Sequence, residues 1–266
     1  MGGRDNGPAM TMVRISVWDS QAISVAPIIP WKIRTMSTIL VTGANRGIGL
    51  ELVRQYAAVG AEVLACCRRP ADAIELQRIT EGADGKVRIF ALDIADPGSI
   101  HALKSTLGDT PIDIIINNAA IAGPEPQTAN AIDYEQWLVT FRVNTMGPFV
   151  VARTLYENLL RGHDKKLVTI TSGLGSVEDN RGGGWYGYRA SKAALNSIMR
   201  GLAHDWAKVG IRVSIISPGS VRTDMGGKNA LQSPEESVRH VRQRISELDE
   251  TTSGQFLRHA GGTFPW

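Results

Sequence analysis

A glycine-rich turn set between a short apolar strand and a helix limits most strongly what this chain can fold into. Ile39–Val41 reads as a strand and Gly47–Val59 as a helix, joined by Thr42-Gly43-Ala44-Asn45-Arg46-Gly47-Ile48-Gly49. Glycines at this junction let the backbone turn tightly and approach a pyrophosphate, whose charge the helix N-terminus favours. The spacing is G-x-x-x-G-x-G. A plain strand-to-helix connection can also use glycine, so the weight of this motif depends on the rest of the chain.

Beyond the turn, strands and helices alternate regularly. Strands are expected at Glu62–Cys67, Val87–Leu92, Ile112–Ile116, Leu167–Thr171 and Ile211–Ser217. Long helices are expected around Tyr134–Leu160 and Tyr186–Val209. Continuous apolar strands separated by helices indicate a parallel sheet covered on both faces. The expected fold is therefore α/β, a doubly wound parallel sheet of Rossmann type in a single domain, with ligands beyond the carboxyl ends of the strands. Ser233-Pro234-Glu235-Glu236 is a strong helix start, with an N-cap serine and proline at the first helical position; that helix is expected to reach about Leu248. The aperiodic segment Ser220–Ala230 is expected to lie over the ligand crevice as a mobile lid.

Composition removes several alternatives. The 266 residues suit one large α/β domain, expected over residues 36–266. Residues 1–35 carry Pro8, Pro27 and Pro30 and resemble neither a secretory signal nor a transit peptide; they are expected to be a disordered or non-native extension. A net charge of +3, without basic runs, gives no support for nucleic-acid binding. No apolar run is long enough to span a bilayer, so no membrane role is expected. The two cysteines, Cys66 and Cys67, are neighbours and offer no disulfide framework, which points to a reducing, cytoplasmic setting. The five histidines are too dispersed for a metal site, and no metal is expected.

The second strand ends Ala65-Cys66-Cys67-Arg68-Arg69, without the carboxylate that would take a ribose 2′-hydroxyl. Arg68, together with Arg46 in the glycine turn, instead suits a 2′-phosphate. Two solvated surface arginines would give the same letters, but NADP(H) is the expected cofactor. Asp93 is expected at the adenine, with Ile94 packing nearby; a surface-turn aspartate is the plain alternative. Asn117-Asn118-Ala119-Ala120 ends the fourth strand with small residues beside the cofactor path, Asn117 and Ala119 among the expected contacts.

Tyr188 and Lys192 stand four residues apart on a predicted helix and share one face. A free phenol titrates near about 10, and a nearby ammonium is expected to pull it down and make it a usable acid and base. Ser172, after the fifth strand, can hydrogen-bond the same reacting oxygen. Tyr186 falls on another helical face, and Ser176 lies further from the strand, so Tyr188 and Ser172 are preferred. Trp185, Met225 and the Arg181–Gly184 loop are expected to shape the substrate pocket.

With these motifs in order, residues 38–266 resemble the short-chain dehydrogenase/reductase family. The matching motifs are Thr42–Gly49, Asn117–Ala120 (Ala120 standing where glycine is usual), Ser172, Tyr188-x-x-x-Lys192 and Pro218-Gly219. Thr223-Asp224-Met225-Gly226-Gly227 and the ending Gly262–Trp266 look similar to the C-factor-like and sniffer-like carbonyl reductases. The resemblance implies an NADP(H)-dependent oxidoreductase acting on a small carbonyl or alcohol, with Asn144, Ser172, Tyr188 and Lys192 at the reacting centre. It implies that Lys192 also holds the nicotinamide ribose, and that Asn144 supports a water beside it. Cofactor contacts would come from Gly43, Asn45, Arg46, Gly47, Ile48 and Gly49, and from Pro218, Gly219, Val221 and Thr223. It further implies a homodimer or homotetramer built partly on the two long helices. Two rivals share these residues: an NADP(H)-binding regulator with little turnover, and an epimerase or dehydratase, for which the segment after Ser217 is short.

Overall fold

Seven strands pair in one sheet, all parallel, in the order β3-β2-β1-β4-β5-β6-β7. The protein is seen here in a computed structural model that describes residues 37–266. The expectation for residues 1–35 lies outside the described residues. The strands are β1 (Thr38–Thr42), β2 (Glu62–Cys67), β3 (Val87–Ala91), β4 (Ile114–Asn117), β5 (Lys166–Ile170), β6 (Arg212–Ser217) and β7 (Phe256–Arg258). The helices are α1 (Gly47–Ala58), α2 (Ile74–Glu81), α3 (Pro97–Leu107), α4 (Tyr134–Phe141), α5 (Gly147–Thr154), α6 (Tyr156–Arg161), α7 (Tyr186–Trp206) and α8 (Pro234–Ser246).

Strand residues divide between two cores because successive side chains point to opposite faces. Leu40, Ile115 and Leu167 join Leu103, Val151 and Leu195 on the α3–α5–α7 side. Ile39, Val41, Ile114, Ile116 and Val168 join Leu52, Leu76 and Val241 on the α1–α2–α8 side. This is why the strands read as unbroken apolar runs: neither face is left to water. The sheet is the doubly wound, Rossmann-type arrangement, in one domain. Strand order reverses between β1 and β4, so the crevice at their carboxyl ends is where such a sheet accepts a ligand.

Two expectations are corrected. The long helix expected over Tyr134–Leu160 is interrupted: α4 passes into a π-helical turn at Arg142–Met146, and α5 and α6 are separated at Leu155. Thr145 Oγ1 donates to the carbonyl of Ser191 on α7 at 2.8 Å, fixing the turn against the neighbouring helix. The sheet also has a seventh strand where sequence reading expects six, because Phe256–Arg258 is three residues long and lies between polar neighbours. The expected start of α8 is present. Ser233 Oγ accepts from Glu236 N at 3.2 Å, and the Glu236 carboxylate accepts from Ser233 N at 2.9 Å, a reciprocal capping box.

Candidate active site

The glycine turn leaves β1 and enters α1 without a side chain capping the helix. Arg46 occupies the N-cap position in extended backbone, and the first turn of α1 holds no acidic residue. Its leading N–H groups therefore face the crevice with their dipole uncompensated, which suits an anion. Gly49 is needed for close packing here: a Cβ at that position would lie 2.1 Å from the Gly43 carbonyl oxygen. Asn118 pins the turn to the end of β4. Its Nδ2 donates to the carbonyls of Thr42 and Gly43 at 2.9 and 3.3 Å, and the N–H groups of Asn118 and Ala119 donate to Thr42 Oγ1 at 3.0 and 3.1 Å.

Arg46 and Arg68 are both exposed at this end of the sheet. Arg46 pairs with Asp224 of the 220–230 segment at 2.8 Å, and the two side chains are 65% and 76% exposed. An ion pair so open to water contributes about 0–1 kcal/mol, weak enough to be exchanged for a phosphate. No ion pair holds Arg68 among the described residues. The absence of a carboxylate at the end of β2, with arginines in its place, fits a 2′-phosphate. The 220–230 segment meets the turn directly, since a Cβ on Gly47 would come within 3.2 Å of Thr223 Cγ2. Arg222 Nη1 closes the base of the segment on the carbonyls of Ala230 and Leu231 at 3.2 and 3.1 Å.

At the crevice floor, α7 carries Tyr188 and Lys192, both nearly excluded from solvent at 9% and 2% exposure. Lys192 Nζ donates to the Ile170 carbonyl at the end of β5 at 3.1 Å and lies 5.8 Å from the centre of the Tyr188 ring. Burial lowers the Lys192 ammonium to about 8. Burial also pushes the Tyr188 phenol up to about 12, and a hydrogen bond from Ser172 acts in the opposite direction. The direction for Tyr188 is thus opposite to the expected one: burial raises the phenol, and a hydrogen bond from Ser172 partly offsets it. Ser172 Oγ accepts from Leu174 N at 3.2 Å, which leaves its own proton free to donate.

Tyr186 and Ser176 are used elsewhere. Tyr186 is 38% exposed, and Ser176 donates to the Pro265 carbonyl at 2.7 Å. Asn144, inside the π-helical turn, accepts from Ile121 N at 2.9 Å and donates to the Ile121 carbonyl at 2.8 Å and Ser191 Oγ at 3.1 Å. Ser191 in turn donates to the Tyr188 carbonyl at 2.8 Å. Asn144 therefore ties the loop after β4 to α7 near Lys192.

The remaining expected residues divide by environment. Pro218, Gly219, Val221 and Thr223 follow β6, and the Pro218 carbonyl accepts from Ser237 Oγ at 2.8 Å. Asp93 Oδ1 accepts from Ala95 N at 2.9 Å, so part of its capacity closes its own turn. Ile94 is only 6% exposed and belongs to the α3–α5–α7 core. The buried Asn117 side chain donates to the Pro148 carbonyl at 3.0 Å.

Sequence reasoning misses Asn118, Ser191 and Gln127 as organisers of the site. Trp185 stands before α7 in left-handed backbone, φ 53°, and supplies no cap. Gln127 takes over: its carbonyl accepts from Trp185 N at 2.9 Å, and its Oε1 accepts from Tyr188 N at 3.1 Å. A glutamine sixty-one residues from Tyr188 gives no local signal for this role. The Trp185 ring meets Tyr188 edge-on at 6.3 Å, while Met225 is 46% exposed.

A glycine turn at the switch point of a doubly wound parallel sheet and a buried Tyr–Lys pair with a serine nearby make this crevice the candidate active site. Residues 37–234 match the family model described as short chain dehydrogenase, and the chain belongs to that family of oxidoreductases. It is 36% identical over 167 residues to C-signal of Myxococcus xanthus, covering 63% of this chain and 100% of that protein. Among solved structures, carbonyl reductase Sniffer of D. melanogaster superposes with a TM-score of 0.79 at 29% identity, covering 87% of this chain and 100% of that one. A carbonyl reductase from Pseudomonas aeruginosa PAO1 in complex with NADP gives 0.78 at 31% identity, with coverage of 87% and 100%. No helix among the described residues is long and apolar enough to cross a membrane.

Proposed function

We propose that the protein is an NADP(H)-dependent oxidoreductase acting on a small carbonyl or alcohol, with Tyr188 as the general acid and base. The observation that carries this reading is the burial of Tyr188 and Lys192 together on α7, with Lys192 Nζ anchored on the Ile170 carbonyl at the end of β5. The likeness to NADP-bound carbonyl reductases supports the choice of cofactor and substrate class. The glycine turn and the start of α1 would hold the pyrophosphate, Arg46 and Arg68 the 2′-phosphate, and Lys192 the nicotinamide ribose. Bound NADP(H) supplies the hydride chemistry.

The protein's own residues manage the proton. A phenol held up at about 12 is protonated at neutral pH, so Tyr188 begins the reduction as an acid and protonates the carbonyl oxygen as negative charge develops there. Ser172 can turn its hydroxyl proton to the same oxygen. Lys192, anchored on the Ile170 carbonyl, sets an ammonium beside the phenol and favours the phenolate left behind. Asn144 and Gln127 fix the two ends of the α7 segment that carries the pair. In the oxidative direction Tyr188 must first lose its proton, so alkaline conditions favour alcohol oxidation.

The ammonium of Lys192 is present at lower pH, half lost at about pH 8, and gone well above it. Carbonyl reduction is therefore expected to fall above about pH 8, measured as kcat against pH at saturating substrate. A flat profile to the alkaline limit would show that the charged lysine is not needed.

Titration with NADPH and NADH, with and without aldehydes, ketones and quinones, tests the whole reading. NADPH is expected to bind more tightly and to be oxidised only when a carbonyl is present. Arg46→Ala and Arg68→Ala should each weaken NADPH binding by about tenfold, the range of a charge-assisted hydrogen bond, while leaving NADH nearly unchanged. Equal losses for both nucleotides would remove the 2′-phosphate role. The likeness to C-signal favours one second reading, an NADP(H)-binding signalling protein, which tight binding without carbonyl-dependent oxidation would support.

A further inference from the structure

The turn that presents Ser172 has little to hold it in place from within. It is a single 3-10 turn, Gly173–Gly175, closed by local bonds from Gly175 N to the Ser172 carbonyl at 2.9 Å and from Ser176 N to the Gly173 carbonyl at 3.0 Å. One bond reaches the sheet, from Gly173 N to Ser217 Oγ at 3.0 Å. Two glycines in so short a turn leave it much conformational freedom.

Part of the constraint comes from α7, where Asn196 Nδ2 donates to the Gly175 carbonyl at 3.4 Å, and the rest from the segment 263–266, which doubles back after β7. Arg258 N donates to the Gly262 carbonyl at 3.0 Å, Thr263 bridges Leu257, and Phe264 N donates to the Phe256 carbonyl at 2.8 Å. The Phe264 ring stacks on buried Phe256 with centroids 4.8 Å apart and planes 27° apart, and the Arg258 guanidinium lies 3.7 Å from its centre. The edge of that ring meets Gly173: a Cβ there would stand 3.0 Å from both Cε1 and Cζ. Beyond the turn, Ser176 Oγ donates to the Pro265 carbonyl at 2.7 Å, and the N–H groups of Val177 and Glu178 donate to the Trp266 carbonyl at 3.0 and 2.9 Å. The Trp266 ring is fixed to α7 by Arg200, 4.5 Å from its centre.

We propose that residues 263–266 act as a strap holding the Ser172 turn against the reacting centre, and that Phe264 is a positioning residue working through Ser172. The inference rests on the reductase reading for its kinetic consequence, but not for the strap itself. Residues 172–178 are gripped on both sides of the turn, by an aromatic ring at Gly173 and by hydrogen bonds at Ser176, Val177 and Glu178. A shift of about 1 Å in a group that must meet the reacting oxygen costs on the order of a hundredfold in rate. Loosening the strap should therefore act on kcat and spare cofactor binding, since Phe264 touches neither the glycine turn nor the arginines at the end of β2.

The test is a double-mutant cycle on the full chain combined with amide hydrogen exchange. Phe264→Ala is expected to lower kcat for carbonyl reduction by about tenfold or more with NADPH affinity within about twofold, while Phe264→Leu keeps most activity. In a Ser172→Ala background the same change should cost less than about twofold, because the group it positions is gone. Gly173→Ala, which presses on the ring, should lower kcat and be partly rescued by Phe264→Leu. Equal losses in both serine backgrounds would overturn the positioning role and leave general destabilisation. Hydrogen exchange needs no turnover: Phe264→Ala, or Gly173→Ala if that variant does not fold, should speed exchange at residues 175–178 and not in β1 or α1. Unchanged exchange there would overturn the strap, whereas faster exchange in a protein that reduces no carbonyl would retain the strap and reject the reductase reading.

Discussion

Replacing Tyr188 by phenylalanine should lower carbonyl reduction by about two to four orders of magnitude, the usual contribution of a positioned acid–base group, while NADPH still binds. The ring sits within the packing of α7 and is 9% exposed, so removing only its oxygen leaves the shape of the site intact. Ser172 would lose its phenol partner but can turn its proton to the substrate or to water. The fold is thus expected to survive with little change in Tm, and the loss to appear in kcat. Equal turnover by the phenylalanine protein would reject Tyr188 as the proton donor, and loss of NADPH binding would show that the tyrosine's main work is structural.

The second large effect is expected at Gly49. A Cβ 2.1 Å from the Gly43 carbonyl oxygen and 2.6 Å from Asn118 Nδ2 cannot be accommodated without opening the glycine turn. One of its obstacles is backbone, which cannot rotate away as a side-chain end would. Gly49→Ala should weaken NADPH and NADH alike, by roughly ten- to a hundredfold if overpacking of about 1–3 kcal/mol falls on the bound turn. Tm should fall as well, because Asn118 loses its bonds to Thr42 and Gly43. Isothermal titration with both nucleotides separates this from the arginine substitutions, which should discriminate between them. Unchanged affinity for both would mean that the phosphates bind elsewhere.

Much of this architecture is legible in the letters because the physics is local. Strands with both faces buried must be apolar throughout, and a helix beginning Ser233-Pro234-Glu235-Glu236 carries its own cap. Tyr188 and Lys192 share a face by helix geometry alone. The unread features arise from contacts distant in sequence. The phenol rises rather than falls because burial is set by the whole crevice, and a neighbouring lysine four residues away reveals nothing of it. Gln127 caps α7 from a loop after β4. Asn118 reads in sequence only as one of a run of small residues, although it ties the turn to the ends of two strands. β7 is too short to show a period, yet it anchors the strap that reaches Ser172.

The π-helical turn at Arg142–Met146 has a consequence for how related chains can be compared. A helix advances about 100° per residue, so one extra residue accommodated in a wider turn rotates everything before it by about that angle relative to everything after. Asn144 meets Ile121 and Ser191 only in the phase that the widened turn provides. Deleting a single residue between Arg142 and Met146 would restore a regular helix and swing either α4 or α5 off its partners. A relative that keeps the asparagine but lacks the extra residue would carry the same letter on a different face. Asn144 is thus specified by chain length as much as by side chain.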